Sequence, residues 1–233
     1  MAQFILGRAK AQMVKTLEEY YNAIQVNIQF SGSDIKVITV TSVQPSEGKS
    51  TTSTNLAVSF ATSGYKTLLI DADIRNSVMS GTFKAEEAYH GLTSYLSGHV
   101  DMYQVIHDTS VQNLNIIPAG QVPPNPTTLL QNARFEKLLE FVRERFDYII
   151  IDTPPIGLVV DAAIVAQKTD GSILVTESGA ISRRFAKKAV EQMEQSGVPF
   201  LGVILNKVDT TKDRYGSYGS YGSYGNYGKN HNS

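Results

Sequence analysis

Apolar positions along the chain follow two patterns, one helical and one extended. In residues 9–30 the apolar side chains recur every three or four positions, which predicts a helix in which Tyr20 and Tyr21 pack. Several later segments are continuous apolar runs rich in β-branched residues, which is typical of strands that are buried on both faces. These runs predict strands at 36–42, 66–71, 147–152, 171–177 and 200–206.

Helical segments separate these predicted strands. Gly64 closes a helix that begins near Lys49, and the prolines of PPNPTT precede a helix that runs through about residue 145. The remaining predictions are helices at 91–96, 160–167 and 182–196 and a further strand at 114–118. Such alternation of strand and helix favours an α/β fold with a doubly wound, mostly parallel sheet.

Length and composition are consistent with one such domain. The chain has 233 residues, of which 42% are hydrophobic, and this is enough for a sizeable core. We divide it into an N-terminal helical segment for oligomer or partner contact (1–35), a core domain (36–208) and a tail (209–233) that is predicted to be disordered. With a net charge of −1, no global field attracts nucleic acid, and the lack of cysteine excludes disulfides and thiolate metal sites.

The strongest motif is PSEGKST, which lies between the strand predicted at 36–42 and the helix that follows it. A Gly-Lys-Ser sequence at such a junction lets backbone N–H groups and the helix N-terminus bind phosphates. In this arrangement Lys49 reaches the β- and γ-phosphates of a nucleotide, and the Ser50 hydroxyl holds Mg²⁺. The predicted nucleotide-binding residues of this loop are Ser46, Glu47, Gly48, Lys49, Ser50 and Thr51.

Two further motifs place carboxylates at the ends of predicted strands. LLIDADIR ends a buried strand with Asp71 and Asp73, which are costly to bury unless they are paired, protonated or bound to metal. Beside a phosphate loop, this pair predicts a metal ligand and a base, while Arg75 either pairs with these acids or contacts a phosphate. YIIIDTPP ends in Asp152, which is the Walker B arrangement of a carboxylate that faces Mg²⁺.

Together with PPNPTTLL and the tyrosine-rich tail, these motifs resemble those of the bacterial tyrosine kinases (BY-kinases), in particular the separately encoded cytosolic kinases of Gram-positive capsule and exopolysaccharide operons. The resemblance covers essentially the whole chain. It implies a P-loop NTPase fold of the deviant Walker type and transfer of phosphate from ATP to protein tyrosines. It also implies that Asp71 is the base and that Ser50, Asp73 and Asp152 serve Mg²⁺, although the division of roles between Asp71 and Asp73 stays open.

The tail holds five of the twelve tyrosines, each set among Gly, Ser and Asn. In a chain that also holds a kinase site, these phenols are the predicted autophosphorylation sites: Tyr215, Tyr218, Tyr221, Tyr224 and Tyr227. A flexible segment of the length that separates Asn206 from Tyr227 has a root-mean-square reach of roughly 25 Å. That reach predicts phosphorylation in trans, in which a tail enters the site of a neighbouring subunit.

The resemblance also implies partners: a membrane-anchored polysaccharide co-polymerase that activates the kinase, a phosphotyrosine phosphatase that resets it, and further copies of the chain. Neither a secretory signal nor an apolar run long enough to span a membrane is visible, so we expect a cytoplasmic protein that a partner recruits to the inner face of the cell membrane. The ring-forming Glu-x-x-Arg-x-x-Arg motif of the family is replaced here by Glu19, Asn22 and Gln25, which puts a ring built on that contact in question.

Other interpretations remain open from the residues alone. NKVD at 206–209 matches the guanine-binding motif of GTPases, although Asp152 is followed by Thr-Pro-Pro rather than by a DxxG motif, and Asn206 can equally contact adenine. A partitioning or septum-positioning ATPase shares the expected fold, but it carries a lysine where Gln44 stands here. A third interpretation is a binding module without enzymatic activity, in which the tail is a tether.

Overall fold

Nine strands form one sheet in the part of the chain that the structure, a computed structural model, describes, residues 3–209. The strands are β1 (Gln3–Leu6), β2 (Val37–Ser42), β3 (Thr67–Asp71), β4 (Phe83–Ala85), β5 (His107–Thr109), β6 (Leu114–Ile117), β7 (Tyr148–Asp152), β8 (Gly171–Glu177) and β9 (Phe200–Asn206). Their order in the sheet is β4-β1-β5-β6-β3-β7-β2-β8-β9. Neighbours are parallel except in the pairs β1–β4 and β5–β6, which confirms the predicted mostly parallel sheet.

Helices cover both faces of this sheet. They are α1 (Arg8–Ser31), α2 (Lys49–Thr62), α3 (Leu92–Leu96), α4 (Pro126–Gln131), α5 (Ala133–Arg143), α6 (Asp161–Ala166) and α7 (Arg183–Glu194). Successive side chains of β3 show the two faces, because Leu69 packs with the residues of α1 and α2 whereas Leu68 and Ile70 pack with those of α3, α4 and α5. Among residues 3–209, no helix combines the length and the apolar composition that a bilayer span requires.

The central strand order brings the three motifs together. Strands β3, β7 and β2 are adjacent, and the register of the parallel pair β3–β7 places Asp71 directly beside Asp152. The phosphate loop follows β2, the next strand, at the same carboxyl edge of the sheet. Open α/β sheets bind ligands at this edge, so the fold itself concentrates the predicted site residues in one place.

Three features differ from the sequence predictions. Strands β1, β4 and β5 were not predicted, because each has only three or four residues and too few buried positions to produce a pattern. The helix expected after PPNPTT is two helices, since Asn132 leaves the helical conformation and its side chain accepts a hydrogen bond from the backbone N–H of Arg134 (3.0 Å). The prediction that Tyr20 packs is wrong, as this side chain is 64% exposed. The five tail tyrosines lie outside the described residues.

The long helix α1 packs on α2 through one buried stripe. Tyr21, Gln25 and Ile28 are its buried residues, and Ser59 Oγ on α2 lies within hydrogen-bond distance of both Asn22 Oδ1 and Gln25 Oε1, at 2.7 Å in each case. The two positions at which the arginines of the Glu-x-x-Arg-x-x-Arg motif were expected therefore face α2 of the same chain. In this protein they hold α1 in place.

We expect the Ile28→Ala substitution to lower the free energy of unfolding by about 2–4 kcal/mol, because it removes buried methyl groups and leaves a cavity between α1 and the sheet. The matched control is Val26→Ala, two residues away on the same helix, whose side chain is 42% exposed. That control should change stability by less than about 0.5 kcal/mol. Urea denaturation of both variants checks the prediction, and equal midpoints would show that α1 is not docked as described.

Candidate active site

The loop between β2 and α2 has the backbone conformation of a phosphate-binding loop. Gly48 has φ +97°, a left-handed conformation that favours glycine, and α2 begins at the next residue, Lys49. A Cβ atom at Gly48 would lie 2.0 Å from the Asn206 side-chain nitrogen, so space as well as conformation requires glycine. Asn206, which was predicted to contact the nucleotide base, donates from Nδ2 to the Glu47 carbonyl oxygen at 2.9 Å. The end of β9 therefore supports the loop.

Glu47 is a bracing residue of this loop. Its side chain is buried, and its carboxylate accepts hydrogen bonds from the Gln44 backbone N–H (2.6 Å) and from the Thr176 hydroxyl (3.0 Å). Only its backbone N–H is therefore left to contribute to a nucleotide site. Ser46 has φ +66°, and its carbonyl oxygen accepts a hydrogen bond from Lys207 Nζ at 2.8 Å. Both ends of the loop are thus fixed by residues at the ends of β8 and β9.

A lysine and three carboxylates form the centre of the site. Lys49 Nζ lies 2.8 Å from Asp73 Oδ2 and 3.4 Å from Asp152 Oδ2. The Ser50 hydroxyl donates to Asp152 Oδ2 at 2.6 Å, and the Ser53 hydroxyl donates to Asp152 Oδ1 at 3.1 Å. The structure thus brings together the residues predicted from the three motifs. It adds Ser53, whose position three residues after Ser50 on one helical face was the only signal in the sequence.

Asp71 lies beside this group in a different environment. Its side chain is fully buried, Ser77 donates its hydroxyl hydrogen to Oδ2, and the Asp73 backbone N–H donates to Oδ1 at 3.2 Å. Burial is the main cause that raises the pKa of Asp71 to about 8, followed by the nearby charge of Asp152, while the Ser77 hydrogen bond and the Lys49 charge act in the opposite direction. The Asp71 carboxyl group is therefore largely protonated at neutral pH in the free protein.

Burial acts in opposite directions on the carboxyl group of Asp152 and on the amine of Lys49. Burial raises the pKa of Asp152 as well, and the Lys49 charge and the Ser50 hydrogen bond oppose this shift. For Lys49 burial alone lowers the pKa, but the carboxylates of Asp152 and Asp73 together outweigh burial and raise it. Lys49 is consequently a stable cation whose charge is held by acidic side chains.

Two cavities meet at this cluster. The larger, of about 410 Å³, is lined by the phosphate loop, Lys49, Asp73 and the Pro154–Pro155 segment. The smaller, of about 210 Å³, reaches Asp71 and is lined also by Ser77, Tyr89 and apolar side chains. Arg75 and Asn76 line both cavities. A molecule in the larger cavity and one in the smaller cavity would therefore be separated by a short wall of side chains.

Arg75 is held in this wall by residues that the sequence analysis did not single out. Its Nε donates to Asp161 Oδ2 at 2.7 Å, and its Nη2 donates to the Thr127 hydroxyl at 2.7 Å. Thr127 in turn donates to Asp161 Oδ1 at 2.7 Å. Arg75 therefore pairs with Asp161 on α6 and not with Asp71 or Asp73.

The oxygen atoms of Ser50, Asp73 and Asp152 are suitable ligands for Mg²⁺, which prefers hard oxygen donors. Within the described residues, however, no group of three or more His, Cys, Asp or Glu side chains is arranged to hold a metal ion without other ligands. The donor set instead fits an ion that is bound partly by nucleotide phosphates and water, which is the usual arrangement for Mg²⁺ at phosphate loops.

Comparison with known proteins places the chain in a family. A family model described as an AAA domain matches residues 35–195. The tyrosine-protein kinase CpsD of Streptococcus agalactiae serotype III is 61% identical over 216 residues, which are 93% of each chain. The chain belongs to the bacterial tyrosine kinase family. Among other members of this BY-kinase family, CpsD of Streptococcus pneumoniae is 55% identical over 91% of this chain and 93% of its own. The kinase domain of Escherichia coli ETK is 34% identical, with a TM-score of 0.78 over 82% of this chain and 75% of its own.

The alternative ATPase interpretation receives less support. The septum site-determining protein MinD of Pyrococcus horikoshii is 24% identical, with a TM-score of 0.63 over 73% of this chain and 70% of its own. That likeness shows a shared P-loop NTPase fold, which is a nucleotide-binding fold, and no more. Relatives that are 55–61% identical to this BY-kinase are named tyrosine-protein kinases. These names support the kinase interpretation over a GTPase or a septum-positioning ATPase.

Proposed function

We propose that this chain is an ATP-dependent protein-tyrosine kinase that phosphorylates its own C-terminal tyrosines and thereby regulates the synthesis and chain length of capsular or extracellular polysaccharide. The observation that carries the proposal is the position of Asp71. This buried carboxyl group lies at the end of a cavity separate from the one that the phosphate loop lines. A donor nucleotide and an acceptor phenol thus have separate places that meet at one potential base.

The larger cavity is the proposed nucleotide site. The phosphate loop and the N-terminus of α2 line it, and the backbone N–H groups of such a junction favour phosphate. Lys49, now paired with Asp73 and Asp152, would turn its charge toward the β- and γ-phosphates, which compete with the carboxylates for it. Ser50, Asp73 and Asp152 would hold Mg²⁺, directly or through water. The bound ion supplies positive charge that offsets the charge developing on the transferred group.

The smaller cavity is the proposed acceptor site. A phenol has a pKa near 10 and needs a group that takes its proton during transfer. Asp71 in its ionised form, which the positive charge of bound Mg²⁺ would favour, is placed for this role, since its Oδ1 and Oδ2 atoms are oriented by the Asp73 backbone N–H and by Ser77. Asp73 is instead paired with Lys49 in the nucleotide cavity. The geometry therefore favours Asp71 as the base and Asp73 as the residue that serves nucleotide and metal.

The other roles follow from the same proposal. Residues 36–208 form the kinase domain, α1 contributes a surface for subunits or partners, and residues 209–233 are the substrate tail. A membrane-anchored polysaccharide co-polymerase would recruit the kinase to the inner face of the cell membrane and activate it, and a phosphotyrosine phosphatase would remove the tail phosphates. Repulsion among several new phosphates, each adding about −1.5 to −2 charges, would loosen an assembly of subunits.

The proposed transfer in trans predicts that one chain phosphorylates the tail of another. We expect that a Lys49→Met chain with an intact tail becomes phosphorylated when it is mixed with an active chain whose five tail tyrosines are replaced by phenylalanine. Tail reach allows this transfer, because the 21 residues from Asn206 to Tyr227 extend to at most about 70 Å. Phosphopeptide mapping after incubation with ATP and Mg²⁺ is the measurement.

Each chain incubated alone is the control and should show no tail phosphotyrosine. If the Lys49→Met tail in the mixture stays unphosphorylated while the wild-type chain, incubated separately, phosphorylates its own tail, the result would argue for transfer within one chain. No label in any sample, even with the membrane partner supplied, would contradict the kinase proposal.

A further inference from the structure

A cluster of four cations surrounds an exposed aromatic ring at the start of α7. This basic patch consists of Arg183, Arg184, Phe185, Lys187 and Lys188, all of which are exposed. The Phe185 side chain is 59% exposed, and Lys187 is 79% exposed. A shallow depression is lined by Arg184, Phe185, Lys187 and Lys188 together with Glu191. The patch thus offers positive charge and an apolar ring side by side.

The charge of the basic patch is poorly compensated within residues 3–209. Lys187 approaches Glu191 only to 3.7 Å, and the side chains of Arg183, Arg184 and Lys188 make no hydrogen bond or ion pair with the described residues. The first turn of α7 has no acidic residue and no side-chain cap, although the positive end of the helix dipole lies there. Like charges gathered at this helix end repel one another, so an anionic partner would stabilise them.

The basic patch lies near the point from which the tail departs. Strand β9 is the last strand of residues 3–209, and the Ser178 backbone N–H, directly after β8, donates to the Asn206 carbonyl oxygen at 2.9 Å. Arg183 follows Ser178 by five residues, a length of chain that spans at most about 17 Å. Tyr215 follows Asn206 by nine residues, which extend to at most about 30 Å. Every tail tyrosine is therefore within chain reach of the patch.

Phosphorylation reverses the charge of the segment that would meet this surface. Residues 210–233 contain three basic side chains and one acidic side chain, a net charge of +2 that the patch repels. Each phosphate adds about −1.5 to −2 charges, so two phosphates make the tail negative and five add roughly −8 to −10. Only the phosphorylated tail is thus complementary to the patch.

We propose that the basic patch on α7 binds the phosphotyrosines of the tail. The inference rests on the proposed function, because it names a surface that binds the product of that reaction. Arginine and lysine side chains form charge-assisted hydrogen bonds with phosphate, and arginine can do so in a bidentate manner. Phe185 provides a surface for the ring of a phosphotyrosine, which neither phosphoserine nor a free anion would use.

Binding of this kind would remove a phosphorylated tail from the acceptor cavity. Released product would otherwise stay next to the site at high effective concentration, because it belongs to the same assembly. Held on α7, a modified tail leaves Asp71 accessible to unmodified tyrosines. The patch would also give the protein a surface whose charge changes with its phosphorylation state, and a regulatory partner could recognise that change.

The test uses a synthetic peptide of residues 210–233 and does not depend on kinase activity. The full chain with its five tail tyrosines replaced by phenylalanine is titrated into fluorescent peptide, either with all five tyrosines phosphorylated or with none. We expect the phosphorylated peptide to bind at least about tenfold more tightly, with affinity falling as salt is raised. Equal affinity for both peptides would overturn the proposal.

The location is tested with two double substitutions that change the net charge equally. Arg184→Glu with Lys188→Glu should abolish the preference for the phosphorylated peptide. Lys84→Glu with Lys137→Glu should retain it, since these exposed lysines lie on β4, at the opposite edge of the sheet from β9, and on α5, whose buried residues belong to a different core cluster from those of α7. Equal losses in both variants would show a general charge effect and would contradict the assignment to the patch.

A second arm distinguishes the tail from an anionic membrane, which also attracts basic surfaces that carry an aromatic residue. Sedimentation with vesicles of phosphatidylglycerol and phosphatidylcholine measures membrane binding of the same variants. If the α7 double substitution removes vesicle binding while the two peptides bind equally, the patch is a membrane surface and the proposal fails. If phosphopeptide binding is found but the wild-type chain never labels its tail, the proposed kinase function fails while the patch remains an anion-binding surface.

Discussion

The Asp71→Asn variant is expected to transfer phosphate to the tail about 10²- to 10⁴-fold more slowly than the wild type, with nucleotide affinity nearly unchanged. Asparagine has nearly the same shape as aspartate but cannot take the proton of a phenol. The side chain lines the smaller cavity and contacts Ser77, so the substitution leaves the phosphate loop and its lysine in place. Single-turnover labelling and fluorescent nucleotide binding measure the two effects separately.

Asp73→Asn is the matched control, since it removes the same charge two residues away. Asp73 pairs with Lys49 in the nucleotide cavity, so this variant should bind nucleotide and Mg²⁺ more weakly and should recover part of its rate at high Mg²⁺. The two aspartates would thereby be assigned separate roles. The assignment would have to be exchanged if Asp73→Asn lost transfer with unchanged nucleotide affinity while Asp71→Asn remained active.

The same Asp71→Asn substitution should make the free protein more stable at alkaline pH. Burial raises the pKa of Asp71 to about 8 from an ordinary value of 3.8, so between these values the folded state binds a proton that the unfolded state has released. Folding stability therefore falls as the pH rises from about 4 to about 8. Asparagine carries no such proton, and the variant should exceed the wild type most clearly above pH 8. Denaturation of both proteins at pH 5 and pH 9 measures the difference in their free energies of unfolding. A difference that is the same at both pH values would contradict the raised pKa.

The main strands were predictable because each is a continuous apolar run, and all but the edge strand β9, which was expected to be buried and is only partly so, are mostly buried. Asp71 and Asp152 each end such a run, and their motifs indicated the chemistry before any geometry was known. Their contact could not be predicted in this way, because it depends on the strand order β3-β7-β2, and sequence patterns do not record which strands become neighbours. Partners that are far apart in sequence are missed for the same reason. Arg75 meets Asp161 across 86 positions, and neither residue indicates the other.

Individual residues within the motifs show a further limit of prediction from sequence. Glu47 lies in the phosphate loop and was predicted to contact nucleotide, yet its carboxylate accepts hydrogen bonds from Gln44 and Thr176. Asn206 likewise supports the loop by donating to the Glu47 carbonyl oxygen. A motif indicates which loop binds phosphate, but it does not separate the residues that face the ligand from those that brace the loop. That distinction depends on side-chain direction, which tertiary packing sets.

The Lys49→Met variant is expected to lose at least about 10³-fold of its phosphate-transfer rate, because it removes the charge that stabilises the developing negative charge on the transferred group. ATP should also no longer raise its melting temperature, since the β- and γ-phosphates lose their cation. Lys66→Met is the control. This exposed lysine directly precedes β3 at the opposite edge of the sheet, and its replacement should leave the rate unchanged. A Lys49→Met chain that still labels its own tail at more than about a tenth of the wild-type rate would contradict the proposed role of Lys49.

The Lys49→Met variant should be less stable than the wild type, whereas Asp71→Asn should be more stable. Lys49 is mostly buried, and its loss leaves Asp73 and Asp152 without their cation, which costs about 3–5 kcal/mol when one member of a buried ion pair is removed. The cost should shrink as the pH falls, because the buried carboxyl groups can then take up protons. The double variant Lys49→Met with Asp71→Asn should recover part of the loss, since it has one buried acid fewer. Strictly additive stability changes would show that Lys49 and Asp71 do not interact, and would contradict the single coupled cluster on which the proposed mechanism depends.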